Sequence, residues 1–213
     1  MYGSADFFTL CKMTSGKMRG KWGTLAGASL CFHVIMGAAN HAVGGLAGIV
    51  LAPLNAGLGA ILLSAMEEKE IKVGMLFSKF DEYGRYVWGV WRPALFTLLW
   101  GLLLIIPGLI ASLRYSQSLY LMLDDPSLNA KEAMERSIEL MKGAKMRLFG
   151  YGLLWSMAVI AVSLLTLGIG LLWLIPFISC FYAQFFLSLC QEKGVLLLSS
   201  ASENAEKESP VQE

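Results

Sequence analysis

The sequence predicts an all-α, polytopic membrane protein: six transmembrane segments arranged as three helical hairpins, plus two amphipathic helices at the membrane surface. Three observations carry this. First, 56% of the 213 residues are hydrophobic and only 15% are charged, against about 25% charged in soluble domains. Second, the charges are segregated. Residues 22–66, 93–113, 115–123 and 148–191 contain no Asp, Glu, Lys or Arg. Third, those stretches are long. Crossing about 30 Å of hydrocarbon takes about 20 helical residues, so 22–66 and 148–191 can each hold two spans and a tight turn. A soluble enzyme domain, a disordered chain and a disulfide scaffold are excluded, and a net charge of +1 gives no basic excess for nucleic acid.

The first span is placed near 23–39, after a polar, basic N-terminus with Lys12, Lys17, Arg19 and Lys21. A basic region, an apolar run and small residues at Gly37–Ala39 imitate a signal peptide. With so much apolar sequence following, it reads as a retained span. Asn40 and His41 mark a turn. The second span, near 43–65, carries Gly44, Gly48, Ala52, Ala56 and Ala60 at every fourth position, a stripe that lets a helix backbone approach closely. No basic residue follows it as a phosphate loop requires. Pro53 is expected to kink this span, and Asn55 to bond a neighbouring helix.

Residues 66–85 mix nine charges with Ile71, Met75, Leu76, Phe77 and Phe80, predicting an interfacial helix near 70–82. The third span, near 86–106, holds Trp88 and Trp91 at belt positions and Arg92 two turns in, able to snorkel. Pro107-Gly108 predicts a turn, and 108–123 a short, polar fourth segment. Asn129 and Glu132 have capping-box spacing and open a second interfacial helix near 128–145. The fifth and sixth spans, near 148–167 and 171–190, flank Gly168–Gly170. Residues 1–192 read as one integral membrane domain and 193–213 as a disordered cytoplasmic tail.

Of 17 basic residues, 15 fall in the N-terminus, 66–85, 124–147 and the tail, while the turns near 40, 107 and 168 have none. Basic loops stay inside, so both termini are expected in the cytoplasm of a cell (plasma) membrane protein. Leu103–Ile110 and Leu172–Ile178 are loosely alike, each with a central Pro, and Ile49–Pro53 is a weaker third copy. They suggest stacked hairpins of one orientation rather than inverted repeats.

Several motifs together carry a family resemblance. They are Trp100–Ile110, Arg114-Tyr115-Ser116, Tyr120, Asp125-Pro126, Glu132-Ala133, Ser137, Leu140–Phe149, and Leu165–Trp173 with Pro176. The chain resembles the bacterial integral membrane family called domain of unknown function nine-seven-five, over roughly 10–192. The resemblance implies a multi-pass bacterial membrane protein and no established activity, so no functional residue is carried over from it.

Arg114 is the sharpest candidate. A charge at membrane depth faces a partner or water; Tyr115, Gln117 and Ser118 of the fourth segment could line the same cavity, and Asp124, about 15 Å away along an unbroken helix, could pair with it only if the helix bends. The competing reading has Arg114 capping carbonyls or snorkelling at a break in the helix. His33, mid-span, is either a proton relay or a neutral imidazole bonding a neighbouring helix. Cys11, Cys31, Cys180 and Cys190 show no C-x-x-C spacing, so neither disulfide nor metal is expected. No H-E-x-x-H or G-x-S-x-G motif is present. The sequence therefore predicts a non-enzymatic membrane component without cofactor. Its partners would be the lipid bilayer, and beyond it a membrane protein or a second copy of the chain. The alternative is a small transporter or channel-like subunit with a polar cavity around Arg114.

Overall fold

The computed structural model describes residues 6–195, which are helical with no strand. Ten α-helices follow in order: α1 (Phe7–Lys17), α2 (Trp22–Val43), α3 (Ala47–Val50), α4 (Ala52–Met66), α5 (Tyr83–Leu103), α6 (Ile105–Tyr115), α7 (Ser118–Asp124), α8 (Ala130–Leu140), α9 (Lys145–Thr166) and α10 (Leu171–Glu192). The expected tail, 193–213, lies beyond Val195 almost wholly outside the described residues.

Three helices are long and apolar enough to cross a membrane: α2 over Trp22–Ala42, α9 and α10. Six are not seen, and each shortfall has a cause in the sequence. Gly44, at φ +63°, ends α2, and the next helical run breaks again at Leu51, two residues before Pro53. That leaves α4 only 15 residues, about 22 Å of rise. The predicted fourth segment is split between α6 and α7 at Ser116–Gln117, where side chains bond the nearby backbone instead of extending the helix. In α5, Arg85 and Arg92 occupy the first half, so its uncharged part starts at Pro93.

The centre of the fold is α4. Twelve of its residues are buried, among them Leu54, Ile61, Leu63 and Met66. A helix apolar all round belongs inside a core or in lipid; the periodicity of 43–65 could not choose, and here protein encloses it. The chain after Met66 forms no interfacial α-helix. Instead it folds back along α4 through two 3-10 turns, Val73–Phe77 and Phe80–Glu82. Leu76 is fully buried, and its backbone lies directly on Gly57. The hydroxyl of Tyr83 then donates to the carbonyl of Val50 at 3.0 Å, at the far end of α4 from Met66. The charges of 67–70 stay outward-facing along this path. Surface amphipathicity is satisfied here without a helix, because a buried leucine and a glycine seat hold the turn.

The predicted small-residue stripe is only half used. Ala52 and Ala56 are buried, whereas Gly44 is exposed and a Cβ on Gly48 would meet nothing within 4 Å. The close approaches are made by Gly57 on Leu76 and by Gly59 on Leu123, one position round the helix. The turn predicted at Pro107-Gly108 falls earlier, at extended Leu104 (ψ 139°). Pro107 sits in the first turn of α6, where a proline costs no helical hydrogen bond. A Cβ on Gly108 would come within 2.5 Å of the Cα of Gly101, so two glycines let α5 and α6 touch. At the third turn, Leu167 and Gly168 adopt left-handed backbone (φ 51° and 89°), as the Gly-x-Gly spacing suggests.

The N-terminal segment, read as merely polar, forms α1 and enters the core. Phe7 lies 5.4 Å from both Trp155 and Phe181 and 5.6 Å from Tyr151, a cluster shared by α1, α9 and α10. Cations then brace helix ends by donating to carbonyls that no helical amide can reach. Lys17 Nζ donates to Met66 O at 2.5 Å, Lys21 Nζ to Lys69 O at 2.8 Å and Lys193 Nζ to Lys142 O at 2.7 Å. Burial holds the Lys17 ammonium below its usual pKa, opposed by Glu68 and Glu67. Arg147 pairs with Glu192 at 2.8 Å, joining the polar ends of α9 and α10.

The capping box at α8 is formed. Asn129 Oδ1 accepts from Lys131 N at 2.9 Å and Glu132 N at 3.0 Å, and Glu132 Oε2 accepts from Asn129 N at 3.2 Å. Asn129→Ala removes this cap, and a loss of about 1 kcal/mol is expected. It is read as a lowered denaturant midpoint with faster amide exchange at Lys131 and Glu132; unchanged exchange at those two amides would show that the cap is idle.

Candidate functional site

The residues expected to form one intramembrane polar site are not brought together. His33 is exposed on α2, with Nδ1 2.7 Å from the Ser29 carbonyl in its own helix. It is not bonded to a neighbouring helix, and lines a 400 Å³ hollow against Gly168–Pro176. Asn55 is half-buried in α4. Asp124, at the end of α7, lines a separate 460 Å³ hollow with Arg136, Glu139 and Lys193. Beside it Asp125 accepts from the hydroxyl and amide of Ser127 (2.5 and 3.0 Å) and from Arg136 at 3.3 Å. The Ser127 hydroxyl, above all, holds the Asp125 carboxyl below the usual carboxylate value. A carboxyl depressed on folding lends stability above its unfolded pKa and loses it as pH falls through the folded value, so this turn is secure at neutral pH.

Arg114, Tyr115 and Ser118 do sit together, at the α6–α7 break. Ser137 of α8 staples that break: its hydroxyl donates to the carbonyl of Arg114 at 2.7 Å and accepts from the amide of Gln117 at 3.3 Å. Ser118 is buried and donates to the Tyr115 carbonyl at 2.8 Å. Arg114 keeps its Nε buried without a partner. It is not in the lining of the 600 Å³ cleft beside this segment, to which α6 contributes Leu109, Ser112 and Leu113.

That cleft, 600 Å³, lies between α6, the N-terminal half of α9, and α10. Its polar lining is Ser112, Ser116, Gln117, Tyr120, Ser156 and Tyr182. The hydroxyls of Ser112, Ser116 and Ser156 donate to carbonyls three or four residues back in their own helices, leaving oxygen lone pairs. Gln117, only 3% exposed, has an Oε1 without a donor. The wall is therefore rich in acceptors, with no ionised side chain in it.

A fourth hollow, of 880 Å³, is different in kind. It is a groove between the first half of α5 and the segment 126–131 that leads into α8. Trp88, Trp91, Arg92, Leu95 and Phe96 supply one wall, spaced i, i+3, i+4, i+7 and i+8 so that they share a helix face. Lys131 stands on the other wall and Arg85 at the end; no carboxylate lines the groove. Arg85 is the strut that positions the two walls. Its Nη2 donates to the carbonyls of Met122 (2.7 Å), Asp125 (3.1 Å) and Leu128 (3.5 Å), while Nη1 pairs with Glu82 at 2.6 Å. The Met122 carbonyl needs that donor, because the residue four places on is Pro126, which has no amide hydrogen.

Arg92 makes no hydrogen bond or ion pair with another described residue and is half-buried in the groove wall it shares with the two tryptophans. The sequence offers Trp88 and Trp91 as belt residues and Arg92 as a snorkelling cation but does not mark them as a site. The Trp-x-x-Trp-Arg spacing was the available signal; Lys131 could join it only through the tertiary fold. Among the described residues no group of three or more His, Cys, Asp or Glu could hold a metal ion.

The family described as protein of unknown function (DUF975) matches residues 89–193. This range takes in most of α5 and everything through α10, hence the whole cleft and the groove apart from Gly84, Arg85 and Trp88. No curated protein matches the chain, and no solved structure does.

Proposed function

We propose, on the premise that residues 89–193 match the DUF975 family of proteins of unknown function, that this chain is a multi-pass integral membrane protein of bacterial type that acts without catalysis, through contacts with lipid. The observation that carries this reading is where the large apolar side chains point. Leu153, Leu154, Met157, Ile160, Leu164 and Leu165 are exposed along α9, while Leu98, Leu99, Leu102 and Ile106 are exposed around the α5–α6 turn. A continuous apolar exterior of this extent needs hydrocarbon or protein to cover it. Hydrocarbon suits helices of 22 residues, about 33 Å long.

In this reading α2, α9 and α10 span the bilayer. The α5–α6 hairpin enters it from the side carrying Arg92 and Arg114, which bracket its uncharged residues 93–113. Both termini are cytoplasmic in a plasma membrane. Supporting that placement, Lys17, Lys21, Arg147 and Lys193 all bind at helix ends distant from the uncharged turn at 167–170. The test is alkaline carbonate extraction of cell membranes, with protease protection of a tag at each terminus. Retention of the chain in the pellet with both tags shielded in intact cells is expected. Release by carbonate, or a tag cleaved from outside, would overturn the reading.

The cleft between α6, α9 and α10 favours a second reading, a small transporter or channel-like subunit, with the polar path beside Gln117 rather than around Arg114. It requires that filling the cleft with Ser156→Leu abolish a solute flux that wild-type chain confers on proteoliposomes. Equal fluxes would remove it.

A further inference from the structure

We propose that the groove between α5 and the start of α8 binds the phosphate headgroup of an anionic membrane phospholipid, with Arg92 and Lys131 as its counter-charges. The inference rests on the membrane reading above and specifies which lipid the protein selects.

Charge comes first. Three cations and no carboxylate line the groove. Arg85 is committed to three carbonyls and Glu82. Lys131 reaches only exposed Glu135, at 3.8 Å. Arg92 has no protein partner among the described residues. An arginine at the edge of hydrocarbon is costly without a counter-charge, and its planar fork matches two phosphate oxygens. In a bilayer, the phosphate layer supplies such oxygens at the level where tryptophans collect, and Trp88 and Trp91, just before Arg92 in sequence, line the groove with it.

Shape comes second. One turn beyond Arg92 the wall turns apolar with Leu95 and Phe96, and α5 continues outward with Leu98, Leu99 and Leu102 exposed. The site is thus cationic at one end and apolar along its length, which fits an anionic head carrying an acyl chain. A free phosphate would leave the apolar wall unused. A zwitterionic lipid brings its own ammonium to its phosphate, so Arg92 and the loosely paired, exposed Lys131 favour a lipid with net negative charge.

The test uses full-length chain reconstituted in vesicles of equal phosphatidylglycerol and phosphatidylcholine, extracted in mild detergent, with retained lipid measured by mass spectrometry. Each surface cation contributes about fivefold to binding of an anionic lipid, so phosphatidylglycerol should be retained at least about fivefold over phosphatidylcholine. Arg92→Gln with Lys131→Gln should bring the two lipids to near parity. Arg92→Lys should retain part of the preference, and Lys142→Gln, an exposed charge outside the groove, should leave it unchanged. Equal retention by wild type, or a preference that survives the double substitution, would overturn the proposal. Should the double variant not accumulate, Lys131→Gln alone, at an exposed position, must still lower the preference; no change there overturns it equally. Carbonate extraction of the same vesicles separates the two failures. A chain that stays embedded without lipid preference loses only the headgroup site, whereas a chain that washes off loses the membrane reading too.

Discussion

Gly57→Ala is expected to destabilise the protein by about 3 kcal/mol or more, the upper range for overpacking a filled core. The added Cβ would lie 2.0 Å from the carbonyl oxygen of Leu76, 2.6 Å from its carbonyl carbon and 3.0 Å from its Cα. All three are backbone atoms, and the Leu76 side chain is fully buried, so neither side of the contact can rotate away. Relief requires lifting the whole 3-10 turn off α4. Two controls scale the effect. A Cβ at Gly59 would meet Leu123 Cδ1 at 2.9 Å, the end of a flexible side chain, and should cost less. A Cβ at Gly27 would meet only Val73 Cγ2 at 3.9 Å, ordinary contact, so Gly27→Ala should be near neutral or slightly stabilising, since alanine favours helix. Thermal melts of the three variants in detergent check the order. Gly57→Ala melting with Gly27→Ala would mean that the segment 66–82 is not seated on α4.

Arg85→Gln is expected to be the second most damaging change, at about 3 kcal/mol, the scale for losing charge-assisted hydrogen bonds and stranding a desolvated acceptor. The guanidinium gathers three carbonyls from two turns of chain, and the Met122 carbonyl faces Pro126, which offers no amide. Glutamine cannot span the set. Lysine keeps the charge but is a single point donor, so Arg85→Lys should recover only part. Local readouts separate this from general loss of stability: amide exchange should rise first at Leu121 to Leu128, and the α5 wall should part from α8. Wild-type exchange there in Arg85→Gln would show that the strut is dispensable.

These two sites explain how far the sequence could be read. The uncharged run 148–191 was legible as two helices long and apolar enough to cross a membrane, because a 22-residue apolar run on each side of Gly168–Gly170 is a local property of the sequence. Local chemistry was equally legible where it is self-contained: Asn129 with Glu132 makes its capping box, and Gly168 makes its left-handed turn. What was illegible depends on partners far away in the chain. Whether 52–66 meets lipid or protein was decided by Leu76 settling on Gly57, and no periodicity in either segment encodes that meeting. The Gly44-Gly48-Ala52-Ala56 stripe was visible, yet the working contact lies at Gly57, because the break at Leu51 rotates the face that α4 presents. Phe7 was read as part of a polar leader; its role appears only once Trp155 and Phe181 surround it. At the candidate site, the Trp-x-x-Trp-Arg face was written in α5, but the second cation, Lys131, is brought there by the Arg85 strut.

The sequence alternates basic and uncharged connections as if every charged segment stayed on one side. The path of 66–82 along α4 breaks that simple picture without exposing charge to the apolar exterior. Of its ionised groups, Glu68, Lys69, Glu70, Lys72, Asp81 and Glu82 are exposed, while Glu67 and Lys79 are half-buried. The bundle therefore presents to its surroundings a narrower apolar belt than six full spans would, formed mainly by α2, α9, α10 and the α5–α6 hairpin.

The most direct test of that belt is the depth of its side chains in a bilayer. Single spin labels at Leu102 and Ile160, 85% and 60% exposed, would be compared by paramagnetic resonance with a label at Lys142, using oxygen and a water-soluble nickel chelate as relaxers in reconstituted vesicles. Lipid-facing positions should relax with oxygen and ignore nickel, and Lys142 should do the reverse. Nickel accessibility at Leu102 and Ile160 equal to that at Lys142 would place the apolar exterior in water and contradict the account.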